Sequence, residues 1–199
     1  MSEDTLIAAF ASPIFLRHCD AGDLTRQLAA GIRELAATET SDDLKRAHQG
    51  GFYTKGGLFN MSLPGIPELR QLVGAAVRDY IQRVAPANAT PHIELIAWAA
   101  LTRERNYQTP HVHAGANLSG VFYLEVPDKP EPQGCIDLLT PIDLQEMTFL
   151  KGFSKTYCRI QPRAGDLLIF PAYLKHIVHP FFGDGERIAV VFNAAVQRS

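Results

Sequence analysis

Residues 111–127 read HVHAGANLSGVFYLEVP, which combines two histidines with a run typical of a β-strand. Side chains alternate along an extended chain, so His111 and His113 project from the same side of a strand. A second segment, HIVH (176–179), carries two more histidines. Four of the seven histidines therefore lie in two short segments, each flanked by β-branched and aromatic residues.

The chain on either side of these segments changes character near residue 90. Before that point, apolar residues recur at helical spacing over 24–35 and 67–84, which predicts two helices. Asp23 is the predicted N-cap of the first helix. Between the helices, GGFYTKGG (50–57) lacks the GK[ST] ending of a phosphate-binding loop, so we expect a loop or a short hairpin there.

From residue 92 onward the sequence consists of short β-like runs separated by turn residues. Eight such runs with no helical pattern among them predict a jelly roll or barrel and argue against a parallel α/β sheet. We expect one domain, with 1–90 as a helical support and 91–199 as the β core that carries the site. The predicted strands are 92–101, 107–113, 118–126, 134–140, 155–161, 166–171, 176–181 and 187–197.

Composition excludes several classes of protein. The 199 residues carry a net charge of −2, and no basic stripe suggests nucleic acid or a charged membrane surface. The chain contains no run of 18 apolar residues, so the sequence predicts no transmembrane helix. Glu3 and Asp4 stand where a signal peptide needs positive charge. Cys19, Cys135 and Cys158 are isolated, which is typical of reduced thiols, so we expect a cytoplasmic protein. His18 and Cys19 are expected in a surface loop.

The histidine pattern predicts a metal site. If the shared face of His111 and His113 points into the β core, the two imidazoles form a two-point clamp for Fe, Zn, Cu or Ni. An isolated H-x-H is more often structural, but a second histidine segment in the same β region strengthens the prediction. His176 and His179 are three residues apart and face opposite sides of a regular strand, so we expect at most one of them to be a ligand.

Arg187 follows the turn GDGE and begins the run RIAVVFN, whose alternate positions include Asn193. If this face points inward, the guanidinium needs an anion, and a carboxylate is its natural partner. The alternative is a surface arginine that follows a turn.

Together the two segments resemble those of the Fe(II)/2-oxoglutarate-dependent dioxygenases, above all an uncharacterised bacterial branch with an H-x-H segment followed by LSGV(F/Y)YL. The stretch FPAYLKHIVHPFFGDGER (170–187) is also similar to the distal half of prolyl-hydroxylase-type sites, with one extra residue in the turn. The resemblance covers about residues 92–197. It implies a double-stranded β-helix (jelly roll, cupin-like), mainly β with N-terminal helices, that uses Fe(II) with 2-oxoglutarate and O2 as cosubstrates.

The resemblance also implies roles for individual residues. His111 matches the first metal histidine and His176 the distal one. Arg187 matches the arginine that binds the far carboxylate of 2-oxoglutarate. Tyr123 matches a tyrosine that often donates a hydrogen bond to that carboxylate, although a packed strand aromatic is an equal alternative. Asn193 is a candidate contact for cosubstrate or ligand, or else a polar core residue.

His113 departs from the usual pattern of this superfamily. Most members have Asp or Glu there, which completes a set of two histidines and one carboxylate. Iron sites with three histidines occur in related jelly rolls, so the resemblance implies His111, His113 and His176 as the catalytic metal ligands. Asp137 is a possible replacement carboxylate. His179 is a possible substitute for His176 or a neighbour that supports it.

The predicted function is therefore an Fe(II)/2-oxoglutarate-dependent oxygenase that hydroxylates a small-molecule or peptide substrate, whose identity the sequence does not indicate. The oligomeric state is equally open.

Two other classes of protein remain possible. One is a non-redox, Zn-type jelly-roll enzyme with three histidines and a water, and the other is a small-ligand-binding cupin without catalysis. Arg187 favours the oxygenase, because a hydrolase has no fixed need for a carboxylate clamp there.

Overall fold

The computed structural model describes residues 11–42, 47–55, 57–86, 91–141 and 156–197. Two antiparallel sheets enclose the interior, and two helices cover the outer face of one sheet. The elements in chain order are β1 (Phe15–His18), α1 (Gly22–Thr38), β2 (His48–Gln49), β3 (Phe52–Tyr53), a 3₁₀ turn (Leu58–Asn60), α2 (Ile66–Val84), β4 (His92–Thr102), β5 (Tyr107–His111), β6 (Leu118–Glu125), β7 (Ile136–Leu139), β8 (Tyr157–Ile160), β9 (Asp166–Pro171), β10 (His176–Val178) and β11 (Arg187–Gln197).

The strands form a major and a minor sheet. The major sheet has the order β1-β9-β6-β11-β4-β3, and the minor sheet has the order β2-β5-β10-β7-β8. All of the strand pairs are antiparallel, and neighbours in each sheet are mostly distant in sequence. This arrangement confirms the predicted double-stranded β-helix, mainly β with N-terminal helices.

The major sheet is apolar on both faces. On β11, Ile188, Val190 and Phe192 are fully buried against the helices. The alternate residues Ala189 and Val191 point to the other side, into the space between the sheets. This period of two explains why β11 reads as an almost continuous apolar run, since a strand buried on both faces has no polar side.

Both helices bury one apolar side against that sheet. Leu28 and Ile32 of α1 and Leu69 and Val73 of α2 are almost fully buried. The prediction that Asp23 caps α1 is wrong. The helix begins at Gly22 after Ala21, and Asp23 lies in the first turn, where its charge favours the helix dipole.

All eight predicted strands are present, although some are shorter than expected. The strand predicted over 176–181 ends at Val178, two residues before Pro180, which has no N–H to donate to a sheet. The N-terminal part also supplies β1, β2 and β3, which were not predicted and which form sheet edges. The expectation of a surface loop at His18 is wrong, since this residue ends β1 and pairs with Asp166.

The segment GGFYTKGG does not fold back on itself as a hairpin. Instead Phe52 and Tyr53 form β3, which pairs with β4 at the edge of the major sheet. Among the helices that the structure describes, we find none with the length and apolar character needed to cross a lipid bilayer.

Gly120 tests the closeness of packing between neighbouring strands of the major sheet. A Cβ at this position would lie 2.6 Å from the Leu168 carbonyl oxygen and closer still to the Phe192 ring. We expect Gly120→Ala to lower the free energy of unfolding by about 1–3 kcal/mol. The same change at Gly74 in α2, where the nearest atom is 3.5 Å away on the Arg78 side chain, should raise it by about 0.5–1 kcal/mol. Urea unfolding measures both, and two changes of the same sign would contradict the packing described.

Candidate active site

His111 and His176 are brought together by strand pairing. His111 ends β5, His176 begins β10, and the two residues are direct partners in the minor sheet. Residues opposite each other on adjacent strands project to the same side. Their rings accordingly lie 4.2 Å apart, centroid to centroid.

His113 completes the cluster from the loop that follows β5. Its backbone N–H donates to the Ala172 carbonyl at 3.1 Å, which ties the loop to the chain just before β10. The His113 ring lies 5.3 Å from that of His111 and 5.1 Å from that of His176, and it stacks on Trp98. One nitrogen from each of the three histidines lies within 4.8 Å of the others. The arrangement suits a single transition-metal ion with nitrogen ligands.

Backbone carbonyls orient two of the three imidazoles. Nδ1–H of His111 donates to the Thr109 carbonyl at 2.7 Å, and Nδ1–H of His176 donates to the Leu174 carbonyl at 3.0 Å. Each bond leaves Nε2 as the nitrogen with a lone pair, which is the form that binds a metal. Burial lowers the pKa of His111, and burial together with the neighbouring His111 lowers the pKa of His176 to about 3. Both rings are therefore neutral at physiological pH.

A β-bulge places Gln108 on the same side as His111. His176 pairs with His111 but Val178 pairs with Gln108, so β5 has one extra residue at this point. Gln108 and His111 are three apart, and a regular strand would separate them. A period of two along β5 therefore does not predict Gln108 at the site. Pro110 was the available signal, because proline within a strand often marks a bulge.

The three histidines open into a small cavity between the sheets. About half of its lining residues are apolar, and the others carry polar side chains. This combination is typical of a small-molecule binding site. The polar side chains that line it, apart from the three histidines, are His48, Gln108, Ser119, Tyr123 and Arg187.

Arg187 is buried in this cavity, with 6% of its surface exposed. No carboxylate among the described residues lies within salt-bridge distance of its guanidinium. The adjacent Glu186 turns outward instead and binds Arg33 and Arg103 at 2.7 Å. A buried charge without a partner is costly, so the cavity is suited to an anionic ligand at this end.

Tyr123 lies beside Arg187. It pairs with Ala189 across β6 and β11, lines the cavity and is 2% exposed. Burial raises the pKa of Tyr123 to about 12, against the opposing effect of Arg187. The phenol therefore keeps its proton and is available as a hydrogen-bond donor.

Asn193 lies on the predicted face of β11, six residues beyond Arg187. It pairs with Ser119, which lines the cavity, although Asn193 itself is not among the lining residues. Its Oδ1 is buried without a hydrogen-bond partner in the described part of the chain. The structure therefore places Asn193 next to the cavity but away from Arg187.

Asp137 and His179 lie away from the three histidines. Ile136 and Leu138 face the interior, so Asp137 between them points to the opposite side of the minor sheet. There it accepts two hydrogen bonds from Arg159, at 2.8 and 2.7 Å, and contacts His179 Nε2 at 2.7 Å. These bonds tie β7, β8 and the end of β10 together behind His176.

The fold and the site together define a class: a jelly-roll protein with a three-histidine metal site and a buried arginine in one cavity. Residues 96–193 match the model of a family described as "Putative 2OG-Fe(II) oxygenase". This segment is therefore similar to that family of iron- and 2-oxoglutarate-dependent oxygenases, as the sequence resemblance predicted.

Solved structures show the same fold. A prolyl-4-hydroxylase from Pseudomonas putida matches with a TM-score of 0.68 at 18% identity, over 94% of this chain and 92% of that chain. A prolyl hydroxylase from Trichoplax adhaerens, in complex with a hypoxia inducible factor peptide fragment, matches with a TM-score of 0.63 at 15% identity, over 93% and 83%. HygX from Streptomyces hygroscopicus, with nickel and 2-oxoglutarate bound, matches with a TM-score of 0.56 at 13% identity, over 92% and 83%. No curated protein matches the chain in sequence.

The Asp137 cluster predicts a pH-dependent contribution to stability. The Arg159 hydrogen bonds, aided by His179, lower the pKa of Asp137 against the effect of burial. A lowered pKa stabilises the fold above the ordinary value of about 3.9, and this contribution is lost as pH falls through the lower folded value. Asp137→Asn should therefore reduce the free energy of unfolding by about 1–3 kcal/mol at pH 7, and the difference from the native chain should shrink below about pH 4.

Urea unfolding of both chains between pH 7 and pH 3 measures this difference. Asp79→Asn is the matched control, because Asp79 pairs with Arg17 on the exposed surface and should contribute little. A difference for Asp137→Asn that stays constant over the whole pH range would show that the carboxylate charge is not its source.

Proposed function

We propose that the protein is an Fe(II)- and 2-oxoglutarate-dependent oxygenase that hydroxylates a small-molecule or peptide substrate. The observation that carries the proposal is that one cavity contains three imidazoles with close nitrogen atoms and a buried arginine without a carboxylate partner in the described chain. The first group suits a transition metal and the second suits the far carboxylate of 2-oxoglutarate.

His111, His113 and His176 would hold the metal. The donor set fits iron, because neutral imidazole nitrogens suit Fe as well as Zn, and two of the rings are already fixed by backbone carbonyls. Bound Fe(II) would supply oxygen activation coupled to the oxidative decarboxylation of 2-oxoglutarate. The use of His113 in place of a carboxylate makes this a three-histidine site with no acidic ligand among the clustered residues.

Arg187 and Tyr123 would bind the far carboxylate of 2-oxoglutarate. The guanidinium presents several N–H donors in a plane that matches a carboxylate, and the protonated phenol adds another donor. Both lie in the buried part of the cavity, where little water competes for these bonds. The protein thus orients the cosubstrate by its charge before any chemistry occurs.

The substrate would enter from the side of His113, which is only partly buried and follows the exposed Val112. Asn193 is a candidate contact for the substrate or cosubstrate, because its Oδ1 has no hydrogen-bond partner in the described chain. Apolar walls formed by Trp98 and Phe170 would exclude water from the reacting group.

Neither alternative class explains the whole site. A Zn-type hydrolase would use the three histidines and a water, but it gives the buried Arg187 no ligand to bind. A ligand-binding cupin without catalysis would use Arg187, but it gives the three clustered imidazoles no metal to bind. Only the oxygenase uses both groups.

Arg187→Ala tests the cosubstrate assignment. Fe(II) and 2-oxoglutarate are added without oxygen, and the visible charge-transfer band is titrated with 2-oxoglutarate. Loss of the guanidinium should raise the required concentration by about 30-fold or more, equivalent to about 2 kcal/mol or more. Arg17→Ala, which removes a surface arginine paired with Asp79, should leave the titration unchanged. An unchanged titration for Arg187→Ala would remove this residue from the cosubstrate site.

A pair of histidine variants tests the metal assignment. His176→Ala should abolish stoichiometric binding of Fe(II), because it removes one of three ligands. His179→Ala should retain it, since His179 contacts Asp137 on the other side of the sheet. Metal analysis after desalting gives the stoichiometry for both. Full occupancy in His176→Ala and in His111→Ala would show that the ligands are elsewhere.

A further inference from the structure

The glycine-rich segment GGFYTKGG has no role in the site described so far. Its two aromatic residues form β3, in which Phe52 pairs with Leu101 and Tyr53 pairs with Ala100. Gly51 permits this close approach, since it has a positive φ of 90° and a Cβ there would lie 2.9 Å from the Leu101 carbonyl. Gly51 therefore allows Phe52 and Tyr53 to pair closely with β4 at the edge of the major sheet.

Side chains alternate along β3, so the side chain of Tyr53 points inward. Phe52 joins the core beneath the helices, whereas Tyr53 packs with Trp98, Ala100 and Val191. The last three residues line the cavity. The ring of His48, which also lines the cavity, stacks on Tyr53 with centroids 3.5 Å apart. Tyr53 therefore forms part of the wall behind the cavity.

The hydroxyl of Tyr53 is buried without a hydrogen bond. The residue is 1% exposed, and its Oη has no hydrogen-bond partner in the described chain. The Gln108 side chain approaches but does not reach hydrogen-bonding geometry. A buried hydroxyl without a partner is unfavourable and is rare in proteins. Its presence indicates that a partner arrives from outside the part of the chain that the structure describes.

The location of this hydroxyl identifies the kind of partner. Burial raises the pKa of Tyr53, while Gln108 and the charge of Arg187 act in the opposite direction. The phenol is thus protonated at neutral pH and able to donate, and it lies near enough to Arg187 to interact with its charge. A hydrogen-bond donor near an unneutralised arginine favours an anion as the common ligand.

We propose that the Tyr53 hydroxyl donates a hydrogen bond to the far carboxylate of 2-oxoglutarate, next to Arg187 and opposite Tyr123. This inference rests on the proposed function and extends it. The cosubstrate pocket then includes a residue from the N-terminal part of the chain, outside the segment 96–193 that matches the family model. The N-terminal part is accordingly a component of the active site as well as a support for the sheet.

Tyr53→Phe tests the proposal, with Tyr80→Phe as the matched control. Tyr80 is also buried, but its hydroxyl already donates to the Pro13 carbonyl at 3.1 Å, away from the cavity. Calorimetric titration of the Fe(II)-loaded chain with 2-oxoglutarate, without oxygen, should give a dissociation constant about tenfold higher for Tyr53→Phe. The constant for Tyr80→Phe should match that of the native chain. No change for Tyr53→Phe would overturn the inference.

The melting temperature without ligand separates a binding role from a structural one. Because the Tyr53 hydroxyl has no partner in the described chain, Tyr53→Phe should melt at the same temperature as the native chain or higher. Tyr80→Phe loses a hydrogen bond and should melt lower. A lower melting temperature for Tyr53→Phe would show that the hydroxyl already has a structural partner, which contradicts the proposal.

A second ligand identifies which carboxylate is bound. 2-Oxopentanoate carries a methyl group in place of the far carboxylate, so Tyr53→Phe should bind it as well as the native chain does. An equal loss for both ligands would indicate general damage to the cavity and would refute the inference. Failure of the native chain itself to bind 2-oxoglutarate would refute the proposed function, a result distinct from a failure confined to Tyr53→Phe.

Discussion

The direct pairing of β10 with β5 is the constraint on which the candidate site depends. It sets His176 opposite His111, and the two rings meet because opposite residues on adjacent strands project together. A shift of one residue in this register would send one ring to the other side of the sheet. On the outer side of the same sheet, the contacts among Asp137, Arg159 and His179 join β7, β8 and the end of β10, so they fix β10 against its other neighbour, β7.

A second constraint is electrostatic. The cavity is lined by a buried guanidinium, four imidazoles and the protonated phenol of Tyr123, and no carboxylate from the described chain neutralises the guanidinium. Such a cavity is incomplete without a ligand, because charge and donors in a dry interior are costly until they are paired. A dicarboxylate that reaches from the metal to Arg187 would satisfy both ends at once. The ligand-free protein thus holds unfavourable interactions that binding would relieve.

Much of this could be predicted from sequence because it follows from local periodicity. The alternation of side chains predicted that His111 and His113 share a side, although His113 lies in the loop after β5. It also grouped Arg187 with one face of β11, and the structure shows that this face points inward. Gln108 escaped prediction because a bulge breaks the alternation within β5. Asp137 could not be placed, since the side of the minor sheet that a short strand turns inward depends on its neighbours.

The position of Tyr53 could not be predicted from the sequence for a different reason. Its partner in β4, Ala100, lies 47 residues further along the chain, and a two-residue strand has no periodicity of its own. Asp23 was misplaced for a smaller reason: a carboxylate at the cap and one in the first turn both stabilise a helix, and helix ends are specified only to within a residue or two.

The helices have a consequence for any attempt to isolate the catalytic core. They cover Ile188, Val190 and Phe192 on the outer face of the major sheet, and Arg33 of α1 also binds Glu125 and Glu186 at the ends of two strands. A fragment trimmed to 96–193 would expose that whole face as one continuous apolar surface. Exposed sheets of this kind stack on one another, so the minimal family segment would self-associate into aggregates.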